Sequence, residues 1–384
     1  MKRKLSVVLT SAVLLSSIIA NAQQTTTSRT RVITSAVPFL TISPDSRAAA
    51  LGDAGVASSP DANSIYWNAA KLAFVNKNVG ASMSYVPWLR ELIDDMFIAH
   101  ISGFKKAAKN QAFGFSMTYF NPGKIEFTTQ TGQTAGDFQS REFSMTGAYS
   151  RKLSRDFSMG INLRYIHSNL IGDYVVNQQA SKAANQVSGD ISAYYVKNSV
   201  NRERGTDYSF GAVISNIGGK ISYGREAYFL PTNLKIGTNI GRRLDAHNRF
   251  NFLVDFNKLL VPTPDPSDPL KYANTGVING IFSSFGGAPI GDKLREITSS
   301  VGLEYWYNDL FAARGGYFFE ASSKGGRRYV TAGLGVKLKD SYGIDLAYLI
   351  PTTTGSPLAN TWRISLIFDL DKRQVDSPTE ADVQ

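Results

Sequence analysis

From about Val79 onward the chain falls into stretches of about ten residues in which one parity is apolar or aromatic and the other is small or polar. Phe157, Met159, Ile161, Leu163 and Tyr165 alternate with Ser158, Gly160, Asn162 and Arg164. Phe250, Phe252, Val254 and Phe256 alternate with Asn251, Asp255 and Asn257 in the same way. Val330, Ala332, Leu334, Val336 and Leu338 face away from Thr331, Gly333, Gly335 and Lys337, and Trp362, Ile364, Leu366 and Phe368 face away from Thr361, Arg363 and Ser365. A period of two predicts β-strands, here at 79–86, 96–104, 111–120, 141–151, 157–167, 186–197, 207–217, 232–241, 249–257, 296–307, 310–319, 328–339, 342–350 and 361–369. The short Ile125–Thr129 run reads as an extension of the third strand beyond the membrane.

A soluble β-sandwich also alternates, so the period alone does not separate it from a membrane barrel. Connection lengths do. Long segments such as 121–140, 168–185 and 258–295 alternate with tight ones such as Lys105–Asn110, Lys152–Asp156, Asn308–Asp309 and Asp340–Ser341. Outer-membrane barrels have short periplasmic turns and longer outer loops, and an even strand count leaves both chain ends periplasmic. The expected fold is therefore all-β, a 14-stranded antiparallel transmembrane β-barrel over residues 79–369, with a periplasmic C-terminal tail at 370–384.

The beginning of the chain departs from this pattern. Lys2, Arg3 and Lys4 precede an apolar run from Leu5 to Ile19 and the small residues Ala20 and Ala22, which predicts a signal peptide over 1–22. A spanning helix is the alternative, but the run is broken by serines and threonines and falls short of the ~20 residues a helix needs. A lipoprotein would need a cysteine, and the chain has none. Residues 23–78 do not alternate, and Arg47 to Phe74 is dense in alanine and glycine, a composition suited to close backbone packing. This segment is expected to form a plug in the lumen, with Gly52 and Gly55 supplying permissive backbone and Asp61 capping a short helical turn.

Composition narrows the chemistry. Without cysteine there are no disulfides, thiolate zinc sites or cysteine nucleophiles. His100, His167 and His247 have no metal-ligand neighbours at a useful spacing and no recognisable triad partners, so neither a metal site, a cofactor nor a catalytic centre is expected. The formal charge of +10 drops by three when Lys2, Arg3 and Lys4 leave, and the rest is scattered over turns and loops. That spread fits a rim facing lipopolysaccharide and outer-membrane lipid, and no nucleic-acid-binding signature is present.

Arg164, Asp255, Glu304, Asp345 and Arg363 fall on the lumen parity, where they either line a solute pathway or hold the plug, and Arg164 and Asp255 are placed to pair. A carboxylate pair for hydrolysis would need Glu304 and Asp345 about 5–10 Å apart, which the sequence does not establish. In the longest outer connection, after the proline-rich run 261–269, Ile278, Ile281, Phe282 and Phe285 share one face of a short helix. Trp88, Leu89 and Leu92 pose the same question in the first connection: a docking surface for a partner, or self-packing over the barrel mouth.

The small-residue stretch with Ala54, Gly55, Asp61, Trp67, Asn68 and Ala70 resembles the start of FadL-like outer-membrane transporters, with Asn68-Ala69-Ala70 where that family usually has Asn-Pro-Ala. FLTISPDSRAAALGDAG (Phe39 to Gly55), YFLPTNLKIG (Tyr228 to Gly237) and DFNKLLVPTPDP (Asp255 to Pro266) are similar to the PorV/PorQ family, the FadL-like barrels of the type IX secretion system. The likeness implies a non-enzymatic barrel that captures cargo bearing a C-terminal targeting domain beside the type IX translocon and delivers it to a surface sortase complex containing PorU. The alternatives are a FadL-like transporter of hydrophobic small molecules and an outer-membrane enzyme such as a lipid deacylase.

Overall fold

The computed structural model describes residues 32–370, apart from 129–132, 171, 173–174, 177–178, 181, 202–203, 225–226, 264–271, 273, 339–340 and 354. The expected leader, nearly all of the C-terminal tail and most of the proline-rich run lie outside the described residues. Fourteen strands form one closed barrel: β1 Val79–Pro87, β2 Phe97–Ala108, β3 Gln111–Asn121, β4 Arg141–Lys152, β5 Phe157–Asn169, β6 Ala184–Lys197, β7 Gly205–Gly218, β8 Asn233–Arg243, β9 Asn248–Leu259, β10 Ile297–Tyr307, β11 Phe311–Phe319, β12 Arg328–Leu338, β13 Tyr342–Pro351 and β14 Thr361–Asp369. Each pairs antiparallel with the next, and β14 returns to β1 in a register running from Gly80↔Asp369 to Tyr85↔Ile364. Closure gives every strand two partners, which is what a backbone crossing hydrocarbon requires.

The strands overlap the predicted ranges one for one, and several run further. In β2 the ladder continues through Lys105↔Phe113 and Lys106↔Ala112. There the strand leaves the apolar layer, so its outward positions no longer need to be apolar and the alternation fades before the pairing does. The Ile125 run behaves differently from the expectation. Lys124–Thr128 pairs with Thr134–Gln139 in a separate two-stranded sheet, set off from β3 by the turn at Gly123, whose φ is +93°. A left-handed φ suits glycine and redirects the chain, which is why the run does not prolong β3.

The wall is apolar outside and polar inside. Leu163 is 66% exposed, whereas its neighbour Arg164 is 7% exposed. Water would penalise that arrangement, and lipid favours it. Aromatic rings collect near both ends of the strands. Tyr119, Phe97, Tyr85 and Trp362 form a continuous row toward the long connections, with centroids 5.5–6.0 Å apart. Phe113 with Tyr149, Phe250 with Tyr305 and Tyr342 with Phe368 lie toward the short turns. Two such girdles bracket a membrane-spanning band. Among the described residues no helix is long and apolar enough to cross a membrane.

With the long connections outside, a cysteine at Thr353, exposed between β13 and β14, is expected to react with an impermeant maleimide on intact cells, and one at Ala246, exposed in the β8–β9 turn, is not. Labelling of Ala246→Cys with Thr353→Cys silent would invert the orientation.

Candidate functional site

The lumen is occupied by residues 32–78, and the path of this segment follows from what its backbone must satisfy. Little of it is regular: one-turn helices at Ser46–Ala49 and Ser64–Trp67 and 3-10 turns at Pro38–Thr41 and Ala69–Phe74. Its remaining N–H and C=O groups need other partners. Inward-facing serines, threonines and asparagines provide them. Ser209 Oγ donates to Ala57 O at 2.8 Å, Thr331 Oγ1 to Ala50 O at 2.9 Å, Ser158 Oγ to Ala70 O at 2.7 Å and Asn162 Nδ2 to Ile65 O at 3.1 Å. Gly52 N donates to Thr331 Oγ1, Ala73 N to Ser150 Oγ and Ser46 N to Ser365 Oγ, at 2.9–3.0 Å.

Close approach explains the small residues. Gly52, with φ +68°, lies against the β11 backbone, where an added Cβ would come 2.6 Å from Tyr317 N. On the strand side, a Cβ at Gly160 would come 2.5 Å from Ala70 N. Gly55 is covered by the Trp67 ring, which leaves no room for a side chain. Trp67 Nε1 donates to Asp45 Oδ2 at 2.5 Å, and Asp45 Oδ1 accepts from Ala48 N to cap the first helix. Asn68 donates to Val56 O and Ala193 O and accepts from Ala70 N, tying two turns of the plug to β6. Asp61 does not cap a helix as expected: the cap position of Ser64–Trp67 is Asn63, and the Asp61 carboxylate accepts from Arg47 Nη1 at 3.0 Å and from Ser64 Oγ. Arg47 draws it away by bridging the same carboxylate to Glu304 at 2.9 Å.

The lumen charges divide by partner. Asp255 Oδ2 accepts from Gly55 N at 2.7 Å and Val56 N at 2.8 Å. Arg363 reaches Asp53 at 3.1 Å. Glu304 and Asp345 are brought together only through Arg314, which lies 3.8 Å from the first and 2.6 Å from the second. Arg47 also pairs with Glu304 at 2.9 Å, so two guanidinium groups balance the two carboxylates. The expected Arg164–Asp255 pair does not form. Arg164 pairs with Asp190 at 2.8 Å instead, beside a bulge where Asn216 takes φ +58° and donates its N–H to Asp190 Oδ1 at 2.7 Å. The bulge aims Asp190 at Arg164. Lys71, wholly buried, donates to Gly55 O at 2.7 Å and Ser58 Oγ at 2.9 Å, and burial pushes its ammonium down to about 8 against the pull of Asp61. Burial likewise pushes the Asp45 carboxyl up to about 6, with Asp61 adding to it.

Apolar clusters close both ends of the plug. Ile65, Leu72 and Val75 pack on Phe104 and Ala112 near the short turns. Val37, Phe39 and Leu40 pack on Val86, Ile98, Phe120, Ile166 and Leu230 toward the long connections. There Ala36 N donates to Phe229 O, and Tyr272 OH donates to Thr34 O at 3.0 Å. The first described residues thus lie at the long-connection end, whereas β14 finishes at the short turns.

Of the outer residues, Trp88 and Leu89 turn down onto the plug-end clusters, with the Arg363 guanidinium 6.0 Å from the Trp88 ring. Leu92 is exposed. In the longest connection a helix at Val277–Ser283 sets Gly280 against Phe229, leaves Ile281 half-buried and presents Ile278, Phe282 and Phe285 to the outside, Phe282 at 73% exposure. His100 Nδ1 bonds to Thr118, His167 to Asn185 and His247 to Asn308, none to a carboxylate. Among the described residues no three His, Asp or Glu side chains gather as a metal site.

A closed fourteen-stranded barrel with a lipid-facing exterior and a docked internal plug is an integral outer-membrane protein. The chain matches the profile of the family described as type IX secretion system protein PorV over residues 24–266, and it belongs to that family. Among solved structures it is similar to the Ralstonia pickettii toluene transporter TbuX, with 10% identity over 84% of this chain and 97% of that one and a TM-score of 0.49. It is also similar to a Pseudomonas aeruginosa FadL homologue, with 11% identity over 85% and 98% and a TM-score of 0.45. The Pseudomonas putida toluene transporter TodX gives 11% over 83% and 95% and a TM-score of 0.44. No curated protein matches the chain.

If Asp255 anchors the plug, Asp255→Ala orphans two backbone N–H groups at a cost of about 1–3 kcal/mol each. The expected outcome is a folded barrel whose openings in planar-bilayer recordings are more frequent than the parent's, with Asp255→Asn close to the parent because one acceptor oxygen remains. Identical recordings for Asp255→Ala and parent would show that the plug is held without this residue.

Proposed function

We propose that this type IX secretion component captures cargo bearing a C-terminal targeting domain at the translocon and delivers it to a PorU-type sortase complex on the cell surface, using its outer connections and not its lumen. The reading rests first on membership of the PorV family. The observation that carries it is a contrast. The plug is bonded by strands all round the barrel, while large apolar side chains of the outer rim, among them Ile278, Phe282, Phe285 and Leu92, stand uncovered. Exposed apolar surface of this kind is costly without a partner, and a few such anchors dominate an interface at roughly 1.5–3 kcal/mol each. In this reading the barrel is not an enzyme, the segment 23–78 is its plug, and the tail beyond Asp369 is periplasmic.

Changing Ile278 and Phe282 together to Ser is expected to leave a heat-resistant barrel in the outer membrane while reducing both co-purification of large partners in mild detergent and the amount of cargo at the surface. Phe252→Ser, on the lipid face, should impair insertion instead. Normal capture and export by the loop variant, combined with loss of export in a variant that unseats the plug, would favour passage through the lumen and the transporter alternative.

A further inference from the structure

A cluster on the outer rim serves neither the plug nor the wall. Glu296, just before β10, is almost fully buried, and its carboxylate gathers three ammonium groups: Lys258 at 2.6 Å, Lys293 at 3.3 Å and Lys324 at 3.2 Å. Thr263 Oγ1 donates to the same carboxylate at 3.0 Å, so its acceptor sites are filled. The lysines come from β9, from the longest connection and from the β11–β12 connection. Their side chains are each only 10–12% exposed. Among the described residues Glu296 is their only acceptor, because Asp292 is taken by Arg295 and Glu320 by Arg327. Counted over the described residues, three like charges held around one carboxylate leave an excess of two positive charges in a partly desolvated spot, where their mutual repulsion is strongest.

The position of the cluster identifies the missing anion. Lys258 has the parity of Phe252 and Phe256, which face lipid, but is itself buried, and the ladder runs unbroken to Leu234↔Lys258↔Ile297, so the cluster lies where β9 and β10 end at the long connections. Apolar side chains flank it: the Phe285 ring is 5.6 Å from Lys258 Nζ, and Ile290 and Leu294 on either side of Lys293 are exposed. Ammonium groups beside exposed apolar side chains at a membrane boundary suit a ligand with an anionic head and an apolar tail.

We infer that Lys258, Lys293 and Lys324 bind a phosphate group of an outer-leaflet glycolipid at the rim of the barrel. The phosphate completes the charge balance that Glu296 leaves open, and the acyl chains run down past Phe285 and Leu294. Such a contact fixes the tilt and height of the barrel beside its partners without engaging the plug or the apolar helix face at Ile278 and Phe282.

The test uses the full-length barrel in detergent, with native mass spectrometry as readout and three probes: bis-phosphorylated lipid A, the same lipid dephosphorylated, and inorganic phosphate. The expected result is retention of bis-phosphorylated lipid A by the parent, weakened roughly tenfold or more in Lys293→Gln/Lys324→Gln, in which Lys258 still pairs with Glu296. A control with Lys105→Gln and Lys109→Gln at the opposite end should bind like the parent, and heat-modifiable migration reports folding of each variant. Equal retention of the dephosphorylated lipid, or equal binding by the rim variant, would overturn the site. Binding of inorganic phosphate with no retention of lipid A would overturn the lipid as its source.

Discussion

Backbone pairing governs this molecule at two levels. In the wall, each N–H and C=O inside hydrocarbon must find a partner in a neighbouring strand, and the return of Thr361–Asp369 to Val79–Pro87 removes the edges that would otherwise face lipid. In the lumen the same requirement falls on a segment too irregular to satisfy itself. The barrel answers with hydroxyl and amide side chains at its inward positions, so the polar parity of the strands acts as a distributed set of partners for the plug. Wall and plug therefore depend on one another. A lumen lined this way without its plug would be a row of unused hydroxyls, and the plug without the lumen would be an unstructured arm.

Charge refines the docking that hydrogen bonds and close packing establish. Arg47 joins Asp61 within the plug to Glu304 on β10, and Arg363 on β14 reaches Asp53. Removing one partner of such a buried pair would strand the other, so these pairs specify one docked arrangement more than they add net stability. Asp255 anchors by backbone contact: two successive N–H groups of the plug converge on one of its oxygens. A carboxylate bonded in this way accepts what an irregular turn cannot otherwise place.

How much of this could be read from the residues depends on range. Leu163 beside Arg164 reveals the wall because a period of two is local, and the density of Ala48 to Gly55 reveals close packing because small side chains have few other uses. The partners of that packing stay hidden. Gly160 reads only as a lumen position, and nothing local says that Ala70 will lie against it. Asp53 and Arg363, or Arg47 and Glu304, are joined only by closure of the barrel, which no spacing encodes. The Arg164–Asp255 expectation failed because β5 and β9 stand four strands apart while Asp190 lies on β6, directly paired with β5, and strand order around a barrel leaves no trace in an alternating pattern. The three lysines around Glu296 come from the end of β9 and from two separate connections, so nothing local in the sequence joins them.

The docked plug also constrains where the protein can act. Were it to leave the lumen as a body, water would replace most of its hydrogen bonds, so each contributes a net of about 0.5–1.5 kcal/mol and not its full strength. Bonds of that size at Ala50, Gly52, Gly55, Val56, Ala57, Ile65 and Ala70, together with apolar clusters at both ends, still sum to more than thermal motion supplies. Opening is therefore rare on its own and is favoured by a ligand or partner with greater affinity for the emptied lumen than for the filled one. A partner that docks on the helix bearing Ile278 and Phe282 makes no contact with Asp255 or Arg363 and so has no direct means of distinguishing the two states. Under the proposed function such a partner is handled at the rim with the lumen shut, the barrel serving it as a membrane-anchored platform.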